Sequence, residues 1–234
     1  TLQWWSPTGG TSDILAGRDL QAGGTWLGVS RGGRLAALTN YRSAEPARTD
    51  TPSRGELVAE FLTSNTRADQ FLETLLTRCQ HYNPFNLLVF DGEQLQGLQS
   101  RGPDIVTLPP GIGALSNAEF NTPWPKVRRL TQGLSAQVEQ GHTQANHLYP
   151  LLWDRQVAPD TELPQTGVPL ELERMLSPLF IASPHYGTRC SSVIAIHNTS
   201  IEFHEHSFDA DVRNGAGLEV GPLPSTYRHY HFAA

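Results

Sequence analysis

Two asparagines, two cysteines and an amino-terminal threonine are the first side chains of this 234-residue sequence that could do chemistry. Asn40 and Asn117 each end a short β-like run, and each follows a small hydroxyl residue, Thr39 and Ser116. A carboxamide at the tip of a rigid strand can donate to a developing oxyanion, a contribution worth about 3–4 kcal/mol. The same side chain can instead cap a strand-end turn, and both readings stand at both positions. Cys190 lacks the free α-amine that an N-terminal nucleophile uses as its base. Cys79 and Cys190 could form at most one bridge, and reduced, buried structural thiols are the simpler expectation. Thr1 has a free α-amine, but Thr1-Leu-Gln-Trp-Trp-Ser-Pro7 runs quickly into a Pro/Gly loop. Catalytic residues of that kind begin a core strand, so Thr1 is not assigned a role.

The histidines suggest a metal. His204 and His206 share one face of a β-like run, as do His229 and His231. Neighbouring strands could thus present four imidazoles to zinc or to haem iron. No Cys or carboxylate stands at a defined ligand spacing, and strand histidines often simply face solvent. No metal and no cofactor is assigned.

The elements that must position these residues follow from pattern. Thr25 to Ser30 and Arg34 to Asn40 flank Arg31-Gly32-Gly33, a hairpin signature. Residues Thr1 to Asp13 read as loop, with Pro7, Gly9 and Gly10 as breakers and Trp4 and Trp5 as packing aromatics. Ser53-Arg-Gly-Glu56 matches a capping box ahead of Leu57, Val58, Phe61 and Leu62. A second helix starts near Thr66 and carries Phe71, Leu72, Leu75 and Leu76 on one face. Asn86 to Asp91, Gln94 to Gln99 and Ile105 to Leu108 read as strands, and Gly113 to Asn117 as another short apolar run. Pro125 suits the first turn of a helix with a stripe of Val127, Leu130, Leu134 and Val138. Two more helices are expected over His147 to Trp153 and Leu170 to Leu176. Strands follow at Ser191 to His197, Ile201 to His206 and Thr226 to Phe232, with Asn198-Thr-Ser200, a formal glycosylation sequon, as a turn. Gly111-Ile-Gly113 precedes no helix and is not a phosphate loop. Hairpins, then helices, then strands indicate a layered, antiparallel α+β domain.

Composition narrows the partners. The formal charge of −6, without a local basic cluster, gives no footprint for nucleic acid. No apolar run approaches bilayer length, so no membrane anchor is expected. A cytoplasmic location is the expectation.

Seven blocks in order resemble the family named for its Asn-Arg-Asp-Glu motif, which includes the transport-and-Golgi-organisation proteins. They are Gly23-Gly-Thr-Trp-Leu-Gly28, Ala37-Leu-Thr-Asn-Tyr41, Arg54-Gly-Glu-Leu57, Tyr82-Asn-Pro-Phe-Asn-Leu87, Leu115-Ser-Asn117, Thr122-Pro-Trp124 and Tyr186-Gly-Thr-Arg189. The resemblance implies an α+β fold, a four-layer αββα sandwich of antiparallel sheets of the N-terminal-nucleophile hydrolase kind. In it, a Cys exposed by loss of the initiator Met attacks an amide carbonyl, with its own α-amine as base. The family's start carries that Cys and then Asn-Arg-Asp-Glu. This sequence begins with neither, and its first residues correspond to the stretch just after the motif. The expectation is a single domain over 1–234 without its first strands or its nucleophile, its first hairpin leaving an unpaired edge.

In related cysteine-type acylases, Asn residues in similar contexts are oxyanion donors, which implies that role for Asn40 and Asn117. Arg189 resembles the arginine kept near the nucleophile, where a guanidinium orients a carboxylate or stabilises thiolate charge. The alternative is a surface Arg at a strand start. Cys190, next to it, would point to the opposite face. Two functions are implied: hydrolysis of a small-molecule amide by the intact protein, this chain being inactive without the nucleophile, or a non-catalytic binding and trafficking role in haem handling or Golgi and secretory organisation.

Overall fold

The computed structural model describes residues 1–7, 13–209 and 226–233. They form a mixed α+β structure in two compact units. One comprises 1–120 with 198–200 and the last residues of the chain; the other comprises 121–197 and 201–231.

The first unit is built on one antiparallel sheet whose spatial order is its sequence order. Its strands are β1 (Leu2–Trp5), β2 (Ile14–Gly17), β3 (Leu27–Ser30), β4 (Leu35–Asn40), β5 (Phe85–Phe90), β6 (Leu95–Gln99) and β7 (Asp104–Thr107). The β3–β4 hairpin matches the sequence expectation. Gly33 takes φ 81° in its turn, and the Ser30 N–H donates to the Arg34 carbonyl at 2.9 Å. The stretch read as an opening loop instead holds β1, paired with β2 in the register Leu2↔Gly17 to Trp5↔Ile14. The Trp5 indole N–H donates to the Ala16 carbonyl at 3.2 Å, fixing β1 by its side chain as well as its ladder. β3 therefore has a strand on each side, and the expected unpaired edge at the hairpin is absent.

Two helices, α1 (Gly55–Thr63) and α2 (Ala68–Leu76), cover one face of this sheet. Leu57, Val58, Phe61 and Leu62 of α1 and Phe71, Leu72 and Leu75 of α2 are buried against Ile14, Ala36, Leu38, Phe85, Leu87, Val89 and Leu98. Each such side chain contributes about 1.5–3 kcal/mol on burial. Phe61 and Phe71 meet edge to face at 5.1 Å. The capping box does not form: Ser53 Oγ accepts from the Gly55 N–H at 3.3 Å, and Glu56 accepts the Tyr82 hydroxyl at 2.6 Å. The end of α1 is instead closed from the β3–β4 turn, where Arg34 donates to the carbonyls of Phe61 and Thr66 at 3.2 and 2.6 Å. The start of α2 is closed from the β5–β6 turn, where Asp91 accepts the Ala68 N–H at 2.8 Å.

The seating of α1 on the sheet has no room for a side chain. A Cβ at Gly24 would stand 2.5 Å from the Gly55 carbonyl carbon, and the Thr25 N–H donates to the Gly55 oxygen at 3.1 Å.

The second unit holds α3 (Pro125–Glu139), α4 (Ala145–Leu152), α5 (Leu170–Met175) and a three-stranded sheet ordered β10-β9-β8. β8 is Cys190–Ile196, β9 Ser200–Ser207 and β10 Thr226–Ala233. β8 and β9 form the expected hairpin, from Cys190↔Ser207 to Ile196↔Ile201. α4 starts two residues before the expected position and runs through Pro150. The stripe on α3 fades along its length: Val127 is buried and Val138 exposed. Among the described residues, no helix is long and apolar enough to cross a membrane.

Gly24→Ala should destabilise the protein by about 1–3 kcal/mol, since backbone must move to admit the methyl group. Gly17→Ala, with nothing within 4 Å of the new atom, should stay within about 0.5 kcal/mol of the parent in urea denaturation. Asp91 supplies a pH test. Burial pushes its carboxyl up, but the backbone N–H groups of Ala68, Gln94 and Glu93, with Arg34, outweigh this and hold it below the usual value. Its folded pKa lies below its unfolded one, so its stabilisation is present above the ordinary value of about 4 and is lost as pH falls through the folded value. Asp91→Asn should flatten that acid limb of the stability curve.

Candidate functional site

β4 ends at Asn40, exposed beside the start of β5. Asn117 comes to the same corner from the other side of the sequence. Its carboxamide N–H donates to the Asn40 backbone carbonyl at 2.8 Å, while the Asn117 backbone carbonyl accepts the Arg42 N–H at 2.7 Å. The run Gly113 to Asn117, read as a strand, is irregular here; the sheet ends at β7, and Pro109 and Pro110 have no N–H to extend a ladder.

The segment from Asn117 to Phe120 crosses the sheet face opposite α1 and α2 and is tied down at each step. Asn86, fully buried on β5, donates to the Ala118 carbonyl at 2.8 Å and to Thr39 Oγ1 at 3.3 Å. The Phe120 N–H donates to the Gln99 side chain at 3.0 Å, and the Phe120 ring sits so close over Gly97 that a Cβ there would be 2.2 Å away. The sequence-predicted pair thus shares one corner, with the Asn117 amide joined to a backbone carbonyl. Asn40 also lines a cavity of about 780 Å³ with Arg48, Arg54, Tyr82, Asn83 and Arg101.

Arg189 belongs to the second unit, in the residue before β8, and its carbonyl accepts the Phe208 N–H at 2.9 Å. Cys79 is buried as expected; Cys190 is exposed as a residue, against the expectation, although its thiol is packed among protein atoms. Desolvation first, and then the Glu205 carboxylate, push the Cys190 thiol up to about 11. It stays protonated near neutral pH, which opposes a nucleophilic role.

Sequence reasoning missed a second cavity, of about 760 Å³, in the second unit. Tyr149 and Trp153 on or beside α4 stack at 5.5 Å, His206 meets Tyr149 edge to face at 4.3 Å, and Tyr227 lies 4.7 Å from His206. The Tyr149 hydroxyl, the Trp153 indole N–H and His206 Nδ1 are buried and lack hydrogen-bond partners among the described residues. Burial first, with the charges of Tyr227 and Glu205 behind it, pushes the Tyr149 phenol well above its usual range, while burial first and then His204 lower His206. The available signal was the pairing of β9 alternation with a Tyr-x-x-x-Trp spacing on one helix face.

Beside this cavity, Glu202, His204 and His229 place one potential ligand atom each within 4.8 Å of one another. His206 and His231, the other two imidazoles of the sequence pattern, are not in that group. Glu202 was overlooked because its i, i+2 relation to His204 becomes a ligand spacing only when β10 is laid beside β9.

A family model described as Transport and Golgi organisation 2 matches residues 1–210. The chain belongs to that family. A Transport and Golgi organization 2 homolog of Mus musculus is 34% identical over 85% of this chain and 78% of its own length. The corresponding Bos taurus and Homo sapiens proteins are 34% and 32% identical, each over 80% of this chain and 74% of the relative. Two family blocks, Gly23 to Gly28 and Arg54 to Leu57, are the segments joined at the Gly24–Gly55 contact, and two others meet where Asn117 bonds Asn40.

Asn117→Ala should cost about 0.5–1.5 kcal/mol, the value of a lost hydrogen bond, and Asn86→Ala about 1–3 kcal/mol because it strands buried polar groups. An unchanged urea midpoint for Asn117→Ala would show that the tie to Asn40 is not holding the corner.

Proposed function

We propose that this chain acts in transport and Golgi organisation as a binding protein, with the aromatic cavity of the second unit as its ligand site. The names of its relatives support the trafficking role. The observation that carries the binding reading is the set of three polar atoms, without hydrogen-bond partners among the described residues, between the aromatic rings of Tyr149, Trp153, His206 and Tyr227. Buried polar groups without partners cost about 1–3 kcal/mol each, and an occupant with its own polar groups would satisfy them. A flat apolar molecule with polar edges suits such walls, and haem is the ligand proposed, as cargo rather than as a resident cofactor.

A second reading follows from the Asn40–Asn117 corner. An αββα sandwich of the N-terminal-nucleophile type, in a form carrying the family's amino-terminal Cys, would use Asn40 and Asn117 as oxyanion donors in cleaving a small-molecule amide. The juxtaposition of the two asparagines favours it; the Asn117 amide already spends one N–H on Asn40.

Haem titration followed by Soret absorbance tests the first reading. Saturable binding at one equivalent is expected, and Trp153→Ala should weaken it by about tenfold, the loss of one aromatic contact of ~1.5 kcal/mol. No Soret shift with the full chain would overturn haem as cargo. For the second, Asn40→Asp should lower kcat on small amides by roughly 10²–10³-fold in the Cys-bearing form, and turnover indifferent to Asn40 would exclude the mechanism.

A further inference from the structure

We propose that Glu202, His204 and His229 form a binding site for a divalent transition metal, with zinc as the ion their chemistry suits. The alternation of β9 puts Glu202 and His204 on one face, opposite the buried Ile201, Phe203 and Glu205. β10 is the hydrogen-bonded neighbour of β9 and brings His229 alongside. The two imidazoles lie parallel, with centroids 4.0 Å apart and an interplanar angle of 9°. His204 Nε2 is 3.2 Å from Glu202 Oε2, and His229 Nε2 is 3.9 Å from the same oxygen.

Zinc holds nitrogen and carboxylate ligands at ~2.0–2.2 Å, which places tetrahedral ligand atoms about 3.3–3.5 Å apart. The two nitrogen–oxygen spacings bracket that separation, and binding would turn the imidazoles out of their parallel stack so that both ring nitrogens converge on one ion. Two imidazoles and one carboxylate with an open fourth position are a zinc donor set, and the absence of thiolate argues against softer ions. An orienting partner is also in place. Tyr227 Oη lies 2.7 Å from His204 Nδ1, occupying that nitrogen and leaving Nε2 directed toward Glu202. Metal-bound histidines characteristically carry such a partner on the other ring nitrogen. The inference does not depend on the cargo reading, although Glu202, His204 and Tyr227 also border the aromatic cavity.

Titration of the chelator-treated full chain with zinc, in competition with a chromogenic chelator and without haem, tests it. One tight equivalent is expected. His204→Ala and His229→Ala should abolish that equivalent, as should the nearly isosteric Glu202→Gln, which covers the case of an alanine variant that fails to fold. Tyr227→Phe should keep the site but weaken it by about tenfold or more, and His81→Ala, in the first unit, should leave it intact. Cobalt in place of zinc should give the intense visible bands of a four-coordinate centre. Failure to saturate at one equivalent, or equal affinity in the Glu202→Gln and His229→Ala chains, would overturn the site. Zinc binding without a haem response would remove only the cargo reading.

Discussion

The first unit depends on a contact between two backbones. Gly24 and Gly55 approach so closely that a methyl group on either would meet main-chain atoms at 3.0 Å or less. That approach lets the Thr25 N–H reach the Gly55 oxygen, which docks the start of α1 against the strand β3. From there the helix axis determines what α1 buries, and Leu57, Phe61 and Leu62 fall onto Ile14, Ala36 and Leu38. Two turns then fasten the helical layer at its other points: Arg34 closes the end of α1, and Asp91 closes the start of α2. Neither helix needs a strong cap of its own, because the sheet supplies one from outside.

The opposite face of the same sheet is handled by polar rather than apolar means. Asn86, the second residue of β5, has no exposure, a position where an unpaired amide group is costly. Its N–H groups hold Thr39 and the Ala118 carbonyl, and the segment so held delivers Asn117 to Asn40. The corner is thus a product of the fold's internal wiring. Any chemistry at Asn40 would be done by a side chain whose surroundings are fixed by other residues' hydrogen bonds.

Much of this was readable in residues. The β3–β4 hairpin announced itself through Gly32-Gly33, α1 and α2 through their apolar spacing, and the β8–β9 pair through alternation. β1 was hidden because four residues with two tryptophans and a following proline carry no clean period of two; its strand character comes from pairing with β2. The run before Asn117 looked like a strand because it is short and apolar, and only the sheet's termination at β7 excludes it. The Ser53–Glu56 pattern was a sound local signal overridden when Tyr82 took the glutamate. The family blocks were legible as a set. Whether Arg189 works with Asn40 and Asn117 was not, since they belong to different units.

The placement of unsatisfied polar atoms distinguishes the two cavities. Around Asn40, the carboxamide of Asn83 and the guanidinium groups of Arg48 and Arg54 are engaged with carbonyls or hydroxyls of neighbouring segments. Around Tyr149, by contrast, a phenol, an indole and an imidazole are each buried among rings without a hydrogen-bond partner among the described residues. Phenylalanine or leucine at those positions would fill the same space without the desolvation cost. Aromatic residues with polar ends are useful in such a place when something else enters it. That concentration of polar atoms among aromatic rings favours the cavity of the second unit as the place where a ligand binds.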